Sequence, residues 1–135
     1  MKETLQYLYS LRSQGSRFGI DRMRELSCRL GDPHLAFPSV HVAGTNGKGS
    51  VCAMIDAVWR AHGLRTGLFT SPHLVELGER IRIEGVPLPF DEIEGWVETL
   101  RPICLEMERE EPGMHPTFFE LMTAIAFLEF KKRGV

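Results

Sequence analysis

Residues Val42–Ser50 read VAGTNGKGS, three glycines and a lysine set between an apolar run and a helical pattern. The common phosphate loop, GxxxxGK[ST], cradles phosphates with backbone N–H groups and places a hydroxyl beside the lysine. Here Gly47 and Lys48 supply the GK pair, but Val42 stands where the first glycine belongs and Ser50 arrives one place late. The strict pattern therefore fails, while its physics survives. Glycines between a strand and a helix allow close approach, and a helix N-terminus offers unpaired donors and the positive end of a dipole. The competing reading is a glycine-rich turn with a solvated lysine.

Working outward, Ser39–Ala43 (SVHVA) reads as a short strand, and Val51, Met54, Ile55, Val58 and Trp59 recur at helical spacing as one buried face ending before Gly63. Arg65–Thr70 (RTGLFT) reads as a second strand. Two strands joined through a helix form a parallel, right-handed crossover, so the loop and the TSPHL that follows Phe69 are expected as neighbours at one sheet edge. Upstream, Glu3–Leu11 and Ile20–Leu30 read as helices, the second stopped by Gly31. Downstream, ERIRIEG alternates like a strand, and Asp91 with Glu94 resembles a capping box opening a helix that Pro102 should kink or break. Thr117 and Glu120 form a second box before LMTAIAFLEF, with Lys131, Lys132, Arg133 and Gly134 suited to that helix's end.

The chain has 135 residues, 43% hydrophobic and 25% charged, which fits one domain. A net charge of -2 gives no electrostatic reason to expect nucleic acid or an anionic membrane as partner. Cys28, Cys52 and Cys104 are odd in number and far apart, so neither a disulfide framework nor a zinc site is indicated and a reducing cytoplasm is the expected location. No apolar run is long enough to span a bilayer, and the N-terminus lacks a small-residue cleavage site.

Taken together and in order, VAGTNGKGS, GLFTSPHL, ERIRIEG and TFFE resemble the folylpolyglutamate and dihydrofolate synthases of the Mur ligase superfamily, ATP-dependent amide-forming enzymes. The resemblance spans nearly the whole chain. It implies an α/β, three-layer P-loop nucleotide-binding domain of Mur ligase type with a parallel sheet, truncated: residues 1–135 form its N-terminal portion, and the glutamate-binding C-terminal domain is absent. It implies that ATP is bound by Gly44, Thr45, Asn46, Gly47, Lys48, Gly49 and Ser50, with Lys48 catalytic, and that Mg2+ is held by Ser71, which answers why the hydroxyl beside Lys48 is displaced. Folate or dihydropteroate is expected at Thr117, Phe118, Phe119 and Glu120, with Ser10, Leu11, Arg12 and Ser13 of the first helix as further contacts. The implied partners are small molecules, including L-glutamate and ATP, acting on a full-length monomer.

The reaction so implied moves the ATP γ-phosphoryl group to a substrate carboxylate and lets the glutamate amine attack the acyl phosphate. A magnesium-binding glutamate, a histidine ligand and a modified lysine are expected beyond Val135, so the chain alone is expected to be inactive. Two other readings stand beside this one: a Mur-type ligase acting on a cell-wall precursor, and a non-catalytic nucleotide-binding fragment. Ser71 before Pro72 also reads as a strand-ending turn. Thr117 and Glu120 read as a helix cap, which is compatible with a ligand role. His41 reads as packing and His73 as solvated or hydrogen-bonded. Arg80 and Arg82 read either as one exposed strand face or as contacts for an acidic substrate tail.

Overall fold

The computed structural model describes residues 2–135. Five helices, α1 (Lys2–Ser13), α2 (Asp21–Arg29), α3 (Lys48–Ala61), α4 (Phe90–Glu110) and α5 (Phe118–Arg133), surround a small sheet of β1 (Gly67–Phe69), β2 (Ile81–Ile83) and β3 (Val86–Pro87). The organising element is α5. Leu121, Met122, Ala124, Ile125, Ala126 and Phe130 are buried around its circumference, as expected for a helix enclosed on several sides. It is met by Leu8 and Leu11 of α1, Leu26 of α2, Ile81 of β2, and Ile93, Val97, Leu100 and Cys104 of α4. Each fully buried leucine or isoleucine contributes about 1.5–3 kcal/mol.

The expected box at the start of α5 is present: the Glu120 amide donates to Thr117 Oγ1 at 3.2 Å, and the Thr117 amide to Glu120 Oε2 at 2.8 Å. Lys131, Lys132 and Arg133 occupy its last turn and Gly134 closes it. ERIRIEG also behaves as read, with β2 turning back through Glu84 and Gly85 into β3.

Five expectations are corrected. The sheet is antiparallel, in the order β1–β2–β3, with Leu68 opposite Arg82. Ser39–Ala43 forms no strand among the described residues, and the parallel pairing with β1 is not made. A strand persists where its N–H and C=O groups find partners, and the described residues offer this segment none. Likewise the apolar face of α3 is not buried: Val51, Met54, Val58 and Trp59 are exposed, and Asp56 is the buried residue of that helix. At α4 the box of Asp91 and Glu94 does not form. The helix starts after Pro89, two residues too early for Asp91 to cap, and Glu94 instead accepts from Thr4 Oγ1 at 2.8 Å. Finally, of the kink or break expected at Pro102 the break is absent, α4 continuing through it. The carbonyl deprived of its donor belongs to Glu98, on the exposed side where water can serve it.

Candidate functional site

Gly47 sits at the N-cap of α3 with φ 76°, a left-handed conformation that favours glycine. The Val51 amide returns to the Gly47 carbonyl at 3.0 Å, so helical bonding begins immediately and the amides of Lys48, Gly49 and Ser50 form the unpaired first turn. Lys48 Nζ folds back over the loop, donating to the Gly44 carbonyl and, at 3.5 Å, to that of Thr45. Residues Gly44–Ser50, Thr45 and Asn46 included, are all exposed, and Val42 before them is half-buried. The arrangement is an open turn with donors and one ammonium group at a helix N-terminus, chemically suited to an anion.

Ser71 lies just beyond β1, exposed, with the Ser71–Pro72 peptide cis. It shares no hydrogen bond with the glycine loop, although α3 packs against β1. Beyond it, the Glu79 carboxylate gathers the amides of Glu76, Leu74 and Val75 at 2.8, 2.9 and 2.9 Å, which together hold its pKa down to about 2. His73 Nδ1 accepts from Arg80 Nε at 2.7 Å, the hydrogen-bonded one of the two states expected of it. Burial, with the nearby Arg80 and Arg12 charges, lowers the His73 pKa. Arg80 is only 5% exposed and its guanidinium stacks on Phe118, 5.1 Å from the ring centroid. The exposed-face reading of Arg80 is thereby overturned, whereas Arg82 is half-buried on β2.

Two clefts of about 390 and 430 Å³ flank α1 and the start of α5. Thr117, Phe118, Phe119 and Glu120 line the larger one together with Arg12; Arg12 and Phe118 also line the smaller one with His73. Ser10, Leu11 and Ser13 line neither. Leu11 is in the core, and the two serine hydroxyls donate to the carbonyls of Tyr7 and Ser10, each at 2.7 Å. The glycine loop and Ser71 also lie outside both clefts. Arg22 was missed by sequence reading: its Nε donates to Glu120 Oε2 at 3.0 Å and its Nη2 to the Arg17 carbonyl at 3.1 Å, tying the 14–20 loop to the cleft floor. An arginine in a charged amphipathic helix carries no pattern that marks such a contact.

The described residues contain no group of three or more His, Cys, Asp or Glu side chains placed to hold a metal ion. Ser71 offers one neutral oxygen, and magnesium is normally held through at least one carboxylate besides phosphates and waters. These residues therefore do not build a magnesium site by themselves. Among the described residues no helix is long and apolar enough to cross a membrane.

No protein-family model matches the chain. The dihydrofolate synthase/folylpolyglutamate synthase of Bacillus subtilis is 41% identical over 116 residues, covering 86% of this chain and 27% of that protein. The folylpolyglutamate synthase of Thermotoga maritima superposes with a TM-score of 0.89 at 38% identity, covering 98% of this chain and 30% of the other. That of Mycobacterium tuberculosis, solved with ADP and AMPPCP, gives 0.87 at 36% identity over 98% and 29%. The chain spans less than a third of the length of these relatives. Over 86% to 98% of its own length the chain is thus similar, in sequence and in backbone, to one segment of the folylpolyglutamate synthase/dihydrofolate synthase family.

Proposed function

We propose that the chain is the N-terminal portion of the ATP-binding domain of a ligase that joins L-glutamate to a folate, to dihydropteroate, or to both. The observation that carries this reading is the left-handed Gly47 opening α3, followed by the unpaired amides of Lys48, Gly49 and Ser50, with the Lys48 ammonium folded back onto the Gly44 carbonyl. In this reading the amides from Gly44 to Ser50 receive the ATP phosphates, and Lys48 exchanges its carbonyl partners for the γ-phosphate as charge builds there. The γ-phosphoryl group passes to the substrate carboxylate, releasing ADP. The glutamate amine then attacks the acyl carbon, forms the amide, loses a proton and expels inorganic phosphate.

Arg12, Phe118, Phe119 and the Thr117–Glu120 cap form the cleft assigned to the pteridine-bearing substrate. Phe119 offers a half-exposed ring for stacking, itself 5.7 Å from Phe69. Ser71 is assigned one oxygen on magnesium, the remaining ligands and the glutamate-binding domain lying outside residues 1–135. Ser39–Ala43 becomes a parallel strand of a three-layer domain once neighbours reach it. The relatives' names, which speak of folates rather than cell-wall precursors, support this assignment over the other Mur-type reading.

The test is calorimetric titration of the chain and of Lys48→Ala with MgATP. We expect at least a tenfold loss of affinity, in line with removal of a charge-assisted hydrogen bond worth about 1.5–3 kcal/mol; equal affinity of the two would remove the loop from the site.

A further inference from the structure

We propose that Asp56 is a positioning residue for the glycine loop: through Thr66 and Arg60 it fixes α3, and with it the turn Gly44–Ser50, on β1 and the β2–β3 hairpin. The proposal rests on the ligase reading above, in which that turn receives the ATP phosphates. Asp56 lies in the middle of α3, and among the described residues it is the one buried residue of that helix, Cys52 and Ile55 being half-buried and Val51, Met54, Val58 and Trp59 exposed. A carboxylate placed where apolar packing usually holds a helix is costly unless its charge and lone pairs are met. Here they are met: Oδ1 accepts from Thr66 Oγ1, and Oδ2 from Arg60 Nε at 2.8 Å.

These bonds close a ring of contacts. Thr66, itself buried, immediately precedes β1, and its carbonyl accepts from the Glu84 amide at 2.9 Å. The Arg60 guanidinium lies so close to Gly85 that a Cβ there would stand 2.9 Å from its Cζ. Helix, strand start and hairpin turn are thus joined around one carboxylate. α3 packs against β1 and reaches it through the short turn 62–66, so helix and strand run in opposite directions and the N-terminus of α3 stands toward the end of β1 that leads to Ser71. Lys48 precedes Asp56 by about two helical turns, about 12 Å along the axis, and a helix is stiff over that length, so its placement at Asp56 is carried to the loop. Without the tie α3 keeps no buried side chain to set its rotation and slide on β1, and a shift of about 1 Å at a phosphate site is enough to cost binding and rate.

The probe is ATP with magnesium, titrated calorimetrically into the whole chain, into Thr66→Val, which keeps the shape and loses the hydroxyl, and into Thr66→Ser, which keeps the hydroxyl. The amide resonances of Lys48, Gly49 and Ser50 are followed in the three chains without ligand. We expect Thr66→Val to weaken ATP by about 3- to 10-fold at unchanged stoichiometry, the scale of one hydrogen bond, and to displace those resonances, and Thr66→Ser to restore both. A tie that only stabilises the fold would lower the unfolding temperature and the stoichiometry while affinity and loop resonances stayed in place, and that result would overturn the proposal. Coupling is reciprocal, so in the unmodified chain saturating ATP should slow hydrogen exchange of the Glu84 amide relative to the core amides of α5. Equal exchange in the ATP-saturated chain would overturn the proposal even if neither variant folds. No ATP binding by the unmodified chain, with the loop resonances displaced by Thr66→Val and restored by Thr66→Ser, would remove the ligase reading alone; ATP binding equal in all three chains would remove this proposal alone.

Discussion

Glu120 serves two masters with one oxygen: Oε2 accepts the Thr117 amide at 2.8 Å, closing the cap of α5, and Arg22 Nε at 3.0 Å, anchoring α2. Both side chains of the ion pair are about nine-tenths buried. Glu120→Ala removes the cap's return bond and leaves Arg22 buried without its partner. We expect a loss of about 2–4 kcal/mol in urea unfolding, from the cap and the broken buried pair together. Arg22→Met, which removes the charge and keeps the bulk, should cost less.

The aromatic pair after Thr117 separates by burial. Phe118 is packed in the core beneath Arg80, whereas Phe119 is half-exposed. Phe118→Ala should destabilise the fold by about 3–5 kcal/mol, the usual cost of emptying a buried aromatic site. Phe119→Ala should change stability by less than about 1 kcal/mol and show itself in weaker pteroate binding. Thermal unfolding and calorimetry on the two single variants check this, and a Phe119→Ala chain that binds pteroate normally would take that ring out of the substrate cleft.

What the sequence made legible, and what it hid, follows from the range of the interactions concerned. The α5 cap, its basic last turn and the β2–β3 hairpin rest on residues a few positions apart, so local pattern was enough. The face of α3 was read correctly as apolar and wrongly as covered, because spacing shows which residues want burial and not what polypeptide supplies it. For the same reason Ser39–Ala43 has strand composition without a strand partner. In the site, TFFE and the glycine loop could be recognised as motifs, and Arg12 was found through the first helix. The couplings of Arg22 to Glu120 and Arg80 to Phe118 span 98 and 38 positions and leave no local signature.

The turn after β1 carries a pH dependence of known sign. Glu79 has an ordinary value of 4.5 and is held at about 2 by the amides of Glu76, Leu74 and Val75. A carboxyl depressed on folding stabilises above its unfolded value, and that contribution fades as pH falls from near 4.5 toward 2. Hydrogen exchange at Leu74, Val75 and Glu76 should therefore accelerate, relative to the core amides of α5, over that interval. Glu79→Gln should show fast exchange at those amides already at neutral pH, with no added acid sensitivity.

The central claim is that residues 2–135 are working parts of a glutamate ligase, and a segment exchange tests it most directly. The matching segment of the Bacillus subtilis relative, 41% identical to this chain, is replaced by this chain, and phosphate release is measured with ATP, magnesium, L-glutamate and either dihydropteroate or tetrahydrofolate. The account predicts glutamate-dependent release by the exchanged enzyme, lowered at least about a hundredfold by Lys48→Ala, the scale expected when a preorganised charge at the transferring phosphoryl group is removed. A folded, ATP-binding exchange with no glutamate-dependent release, or release indifferent to Lys48→Ala, would contradict it.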